Sequence, residues 1–141
     1  MTFTDAEHRF LARQPRGHLS TIGPDGVPQV KPLAFTVNAE LGTIDIAGYA
    51  MASSAKYRNV RANPRVAFVV DEVTEQTMEG AHFLEIRGVA ETVTRPAGDG
   101  YPAPEIIRIH PRRVVAYNVD PDRPGLHTRD VAAEDNAVAR A

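Results

Sequence analysis

The sequence predicts a mainly β fold: a six-stranded antiparallel barrel with two short helices. Three observations predict it. Apolar and polar residues alternate over most of residues 18–119, which is the period of half-buried strands. Turn dipeptides such as Asp25-Gly26 and Asn63-Pro64 punctuate those runs. Only two windows, 4–14 and 53–62, carry helix signals instead.

Each element has a local reason. Thr4 and Glu7 form a Thr-x-x-Glu capping box, Phe10 and Leu11 give the helix an apolar stripe, and Pro15 and Gly17 end it. Residues 18–22 form a first strand, and Pro24-Asp25-Gly26 turns it. Residues 27–37 read as one second strand, with Gln29, Lys31, Leu33, Phe35 and Val37 on one face. Pro28 and Pro32 remove backbone donors from a single side of it, so this strand is an edge or lines a gap. Residues 43–49 form the third strand, and the second helix follows until Asn63-Pro64 stops it. The apolar run 66–70 marks the strand over 65–73 as central. Strand 82–94 turns Leu84 and Ile86 inward and Glu85 and Arg87 outward, the latter two as an ion pair. A Gly/Pro loop over 96–104 precedes strands 105–110 and 114–119, which flank a kink at Pro111-Arg112-Arg113.

The 141 residues divide into a domain over 1–119 and an irregular C-terminal tail over 120–141, rich in proline, glycine and polar residues. The net charge of −2 excludes a nucleic-acid coat or a polybasic membrane anchor. No apolar run approaches the ~20 residues of a membrane span. Cysteine is absent, which excludes disulfides, thiolate metal sites and cysteine nucleophiles. The five histidines lack metal-ligand spacing, so no metal is expected. These features suit a cytoplasmic protein.

Candidate site residues emerge from the basic composition. Of 16 Lys and Arg, 14 are arginine; lysine occurs only at 31 and 56. Ser53, Ser54 and Lys56 open the second helix, where free backbone N–H groups, hydroxyls and an ammonium make an anion site of phosphate size. Plain helix capping with a solvated lysine is the alternative reading. Lys31 shares a strand face with apolar neighbours and either snorkels to a rim or lines a pocket. Gly48 and Gly88, in strand patterns, mark a close approach of a ligand or backbone, or a bulge. Arg58 and Arg61 lie three apart on the helix, as a basic track or a solvated face.

The ordered set resembles a known family. Leu19-Ser20-Thr21-Ile22, Asp25-Gly26-Val27-Pro28, Ser54-Ala55-Lys56 with Asn59, and Asn63-Pro64-Arg65-Val66-Ala67 resemble the pyridoxamine-5′-phosphate-oxidase-like split β-barrel family, which binds flavins and deazaflavins. The stretches 85–91, 107–114 and 128–131 resemble its actinobacterial branch, which uses coenzyme F420. The resemblance covers residues 4–131. It implies a homodimer with the cofactor in a groove between two barrels. Lys31 would face the cofactor phosphate or ring, and Ser54 and Lys56 match the family's Ser-x-basic phosphate motif. Ala47 and Gly48 match backbone beside the ring, while Arg58, Asn59 and Arg61 would meet an anionic tail. The implied activity is hydride transfer from reduced F420 to an unsaturated small or polycyclic substrate. An FMN-dependent oxidase or flavin reductase, and a non-catalytic cofactor or tetrapyrrole binder, are the alternatives. The arginine–histidine pair with which the oxidase branch holds pyridoxal is missing near the C-terminus, which argues against vitamin B6 oxidation. Ala55 stands where those oxidases usually carry arginine. No catalytic acid or base is assigned; Tyr49, His18 and Ser20 are the available proton donors.

Overall fold

The structure is a computed structural model, and it describes residues 2–96 and 102–135. Residues 97–101 of the expected Gly/Pro loop and residues 136–141 of the expected tail lie outside the described residues.

Helix α1 (Asp5–Arg13) starts at Thr4, whose hydroxyl accepts from the Glu7 N–H at 3.1 Å, while the Glu7 carboxylate accepts from the Thr4 N–H at 2.9 Å. Phe10 and Leu11 are buried, as the apolar stripe requires. Strands β1 (Gly17–Ile22) and β2 (Pro28–Leu33) form a hairpin in full register, with Thr21 opposite Gln29 and Leu19 opposite Lys31. Gly26, at φ 82°, takes the left-handed conformation that the turn demands. Then follow β3 (Thr36–Asn38), β4 (Thr43–Ile46), α2 (Ala55–Ala62), β5 (Arg65–Val73), β6 (Ala81–Thr94), β7 (Glu105–Tyr117) and β8 (Leu126–Asp130).

The strands form one antiparallel sheet in the order β2-β1-β5-β6-β7-β4-β3, with β8 also paired to β7. It is not closed. Strands β2 and β3 are its two ends, and no ladder joins them. The expected six-stranded split barrel with two short helices is therefore corrected to an open eight-stranded sheet with two α-helices. The physical reason lies in residues 27–37. They do not run as one strand; the chain breaks after Leu33 and resumes at Thr36, and the two pieces occupy opposite ends of the sheet. Because β2 pairs with β1 along its length, Pro28 and Pro32 face the free edge, where no further strand can take a full ladder.

Two more segments differ from the sequence reading. Residues 105–117 are one continuous strand across Pro111. Arg112 is an extra residue there: Gly88 pairs with Pro111, and Arg87 pairs with Arg113. This bulge shifts the side-chain parity, so Ile107 and Ile109 before it and Val114 after it all enter the same core. Gly88 is needed opposite the bulge, because a Cβ there would come within 2.2 Å of the His110 carbonyl oxygen. The segment 120–135 contributes β8, which pairs with Arg113–Tyr117 of β7, although the composition reads as irregular.

The core sits on one face of the sheet. Leu19, Phe68, Leu84, Ile86, Ile44 and Ile46 meet Phe10 and Leu11 of α1 and Tyr57 and Val60 of α2. Phe35 reaches in from the β2–β3 break and packs edge-on against Phe68, with ring centroids 5.1 Å apart. Among the described residues, no helix is long and apolar enough to cross a membrane.

Candidate functional site

The candidate site lies where the start of α2 meets the β1–β2 hairpin. Ser54 is the N-cap: its hydroxyl accepts from the Tyr57 N–H at 3.3 Å and donates to the Met51 carbonyl at 2.7 Å. The Ser53 hydroxyl donates to the Ala50 carbonyl at 3.1 Å. Both serines thus hold the turn that begins the helix. The first turn of α2 carries no acidic residue, and Lys56 is its second residue. A cation at the positive end of a helix dipole is unfavourable until an anion joins it.

An open cavity of about 270 Å³ lies there, lined by Thr21, Gln29, Lys31, Ser54 and Lys56 among others. Alternation puts Lys31 in it. Odd residues of β2 and β1 share the core face, and Lys31 stands beyond the core on that face, opposite Leu19. Arg58 folds back along the helix, and its guanidinium donates to the Ser53 carbonyl at 2.6 Å. Among the described residues, Lys31, Lys56 and Arg58 have no carboxylate partner. Elsewhere five described arginines pair with carboxylates: Arg13 with Glu72, Arg87 with Glu85, Arg108 with Asp45, Arg113 with Asp130 and Arg129 with Glu7.

The remaining sequence candidates are dispersed. Asn59 is buried, and its amide donates to Thr21 Oγ1 at 3.0 Å and to Gln29 Oε1 at 2.9 Å. Arg61 is exposed near the far end of α2, outside the cavity lining. Ala47 and Gly48 follow β4, half-buried, and do not line the cavity either. A Cβ on Gly48 would meet Met51 Cε at 3.6 Å, an ordinary contact, so the chain alone does not require glycine there. Tyr49 is 90% exposed on the same loop. His18 and Ser20 point to the opposite face of the sheet, where they line a shallow cavity of about 240 Å³ with Val30, Ala67 and Phe83. Thr21 and Gln29 were not singled out by sequence reasoning. Their signal is present nonetheless: Gln29 shares the face of Lys31, and the turn at Asp25-Gly26 brings Thr21 opposite it.

Residues 3–132 match the family model described as pyridoxamine 5′-phosphate oxidase. The chain belongs to the pyridoxamine 5′-phosphate oxidase family. This is an oxidoreductase-like fold family associated with flavin- or deazaflavin-type cofactors. A curated relative, the 5a,11a-dehydrotetracycline/5a,11a-dehydrooxytetracycline reductase of Streptomyces rimosus, is 42% identical over 138 residues, covering 96% of this chain and 97% of the relative. Among solved structures, an F420 reductase is 28% identical at a TM-score of 0.59, covering 77% of this chain and 95% of that one. A conserved hypothetical protein from Mycobacterium tuberculosis is 27% identical at a TM-score of 0.65, covering 79% of this chain and 82% of that one.

Proposed function

We propose that this member of the pyridoxamine 5′-phosphate oxidase family is a cytoplasmic, homodimeric, F420-dependent reductase. Its substrate would be a polycyclic ketone with a conjugated carbon–carbon double bond. The observation that carries this reading is the convergence of Lys31, Lys56 and Arg58, all without carboxylate partners, on the acid-free start of α2. Such a cradle suits a phosphate: two lysines line it beside the first turn of α2, and ammonium groups and first-turn N–H groups are common phosphate ligands. When bound, reduced F420 supplies a hydride. The chain's own residues would bind and orient it: Lys31 and Lys56 would hold the phosphate and Arg58 would extend the positive surface along α2; Ala47 and Gly48, outside the cavity lining, are assigned to the ring by the family resemblance alone.

The likeness to a reductase of dehydrotetracyclines supports the substrate class, and the likeness to an F420 reductase supports the cofactor. A dimer is supported by the outer sheet face. Val30 is 60% exposed there, beside the shallow cavity at His18 and Ser20 and a broader groove of about 710 Å³ that includes Arg65 and Arg87. Val114, Val115 and Val119 are already buried within the chain, so the case for a partner rests on β2 and this face.

The test is a fluorescence titration of the purified protein with F420 and with FMN, followed by turnover of a conjugated polycyclic enone with reduced F420. F420 binding and bleaching of the enone absorbance are expected. Tight FMN binding without F420 binding would replace the proposed cofactor.

A further inference from the structure

We infer that Asn59 is a positioning residue, fixing the rotation of α2 so that Lys56 and Lys31 face one anion. This rests on the reading that the cavity between them holds a phosphate group. Asn59 is 6% exposed and is the polar residue on the buried face of α2, beside Tyr57 and Val60. Its side-chain nitrogen spends both protons, one on Thr21 Oγ1 at 3.0 Å and one on Gln29 Oε1 at 2.9 Å. Only its amide oxygen is left, an acceptor that an anion avoids. Asn59 therefore does not bind the ligand itself.

What it does follows from its two partners. Thr21 and Gln29 stand directly opposite each other on β1 and β2, and both line the cavity that holds Lys31, Ser54 and Lys56. The amide thus ties the helix to two strands at once, beneath the site. Tyr57 and Val60 also bind α2 to the core, but apolar burial is non-directional and tolerates a small rotation or slide. Paired hydrogen bonds to two strands do not, since their strength falls steeply off alignment. Lys56 is one turn before Asn59, so a rotation at 59 carries Lys56 away from Lys31.

The test uses the full chain and three ligands: inorganic pyrophosphate by calorimetry, and F420 and FMN by fluorescence. Asn59→Leu keeps the branched four-atom side-chain skeleton, at somewhat greater volume, and removes both bonds. It is expected to weaken pyrophosphate about tenfold, the order lost when partners behind a ligating group are cut. The salt dependence of binding should stay that of the unmodified protein, because no ligand charge is removed. Lys56→Gln, by contrast, should flatten that salt dependence. Gln29→Leu should reproduce part of the loss, and the two changes together should be less than additive, because they cut a shared bond. A folded Asn59→Leu protein with unchanged pyrophosphate affinity overturns the inference, as does a loss that flattens the salt dependence. If Asn59→Leu does not fold, Gln29→Leu alone decides: unchanged affinity there also overturns it. Pyrophosphate binding that responds as expected while neither F420 nor FMN binds supports the positioning role and rejects the cofactor. No pyrophosphate binding by the unmodified protein rejects the positioning role.

Discussion

The two helices of this protein begin in opposite ways. The N-terminus of α1 is closed electrostatically. Asp5 and Glu7 sit in its first turn, the capping box is complete, and Arg129 from β8 pairs with Glu7 and donates to the Thr2 carbonyl at 2.9 Å. The N-terminus of α2 is left open. It has a single serine cap, no carboxylate, and a lysine where a stable helix would favour an acid. The first arrangement stabilises the fold; the second forgoes a few tenths of a kcal/mol of helix stability and leaves the positive potential uncompensated, as the proposed anion site requires. Catalytic folds keep such locally unfavourable features where binding needs them.

The largest expected effect breaks the closed end. Glu7→Ala removes the side chain that accepts from Thr4 N–H and pairs with Arg129, and Glu7 is 6% exposed. Stability should fall by about 2–3 kcal/mol, below the full cost of a buried pair because Arg129 is partly solvated. Urea unfolding reads it, and F420 or FMN affinity should not change. A fall in affinity at unchanged stability would mean that the two helix ends do not divide the work this way.

The converse is Lys56→Ala. Cofactor affinity should drop by about 1.5–3 kcal/mol, the range for a charge-assisted hydrogen bond. Stability should hold or rise slightly, since a cation leaves the positive end of a dipole. Equal affinities of variant and unmodified protein in fluorescence quenching would remove Lys56 from the site.

A smaller effect sharpens the open end. Arg58 folds back toward Ser53, whereas Arg61 stands exposed near the other end of α2. Replacing both by glutamine should cost F420 about 1 kcal/mol, in a salt-dependent way, through its carboxylate tail. FMN, which ends at its phosphate, should be nearly unaffected. Equal loss of both cofactors would show that these arginines do not read a tail.

The smallest effect is a pH dependence at the far end of α1. Hydrogen bonds from Gln14 at 2.9 Å and Arg13 at 3.0 Å hold the Glu72 carboxyl below its ordinary pKa of 4.5. A carboxyl depressed in the folded state contributes its full stability above the unfolded pKa, and loses it as pH falls through the folded value. This exposed pair accounts for less than about 1 kcal/mol. Urea midpoints recorded downward from about pH 6 should therefore fall slightly less steeply for Glu72→Gln than for the unmodified protein. Identical slopes would show that the α1–β5 contact does not depend on this charge.

Several features were legible because their causes are local. The capping box needs only Thr4 and Glu7, three residues apart, and it forms as the spacing predicts. Leu84 and Ile86 turn inward and Glu85 and Arg87 pair outward, because alternation on one strand decides it. Pro28 and Pro32 announce that β2 ends the sheet, since a missing donor is a property of the residue itself. The rarity of Lys31 and Lys56 among the arginines is read off the sequence; that both line one cavity is decided by the fold.

Other features belong to the tertiary structure, because they depend on which distant segments meet. Nothing within residues 27–37 says that its two halves go to opposite ends of one sheet; that follows from the partners of β2 and β3, which are β1 and β4. Pro111 reads as a strand breaker until Gly88 stands opposite and admits the bulge. The polar tail becomes β8 because β7 offers it an edge. Asn59, read on a helix surface, suits a ligand contact; folded, its amide is enclosed between Thr21 and Gln29. The sequence by itself determined the capped helices, the strand faces and the rare cations, all set within a few residues of chain. Tertiary pairing alone decided that the sheet stays open, where the extra residue of β7 sits, and which cations are left without a partner, because hydrogen bonds and ion pairs form between segments whose separation along the chain carries no local signal.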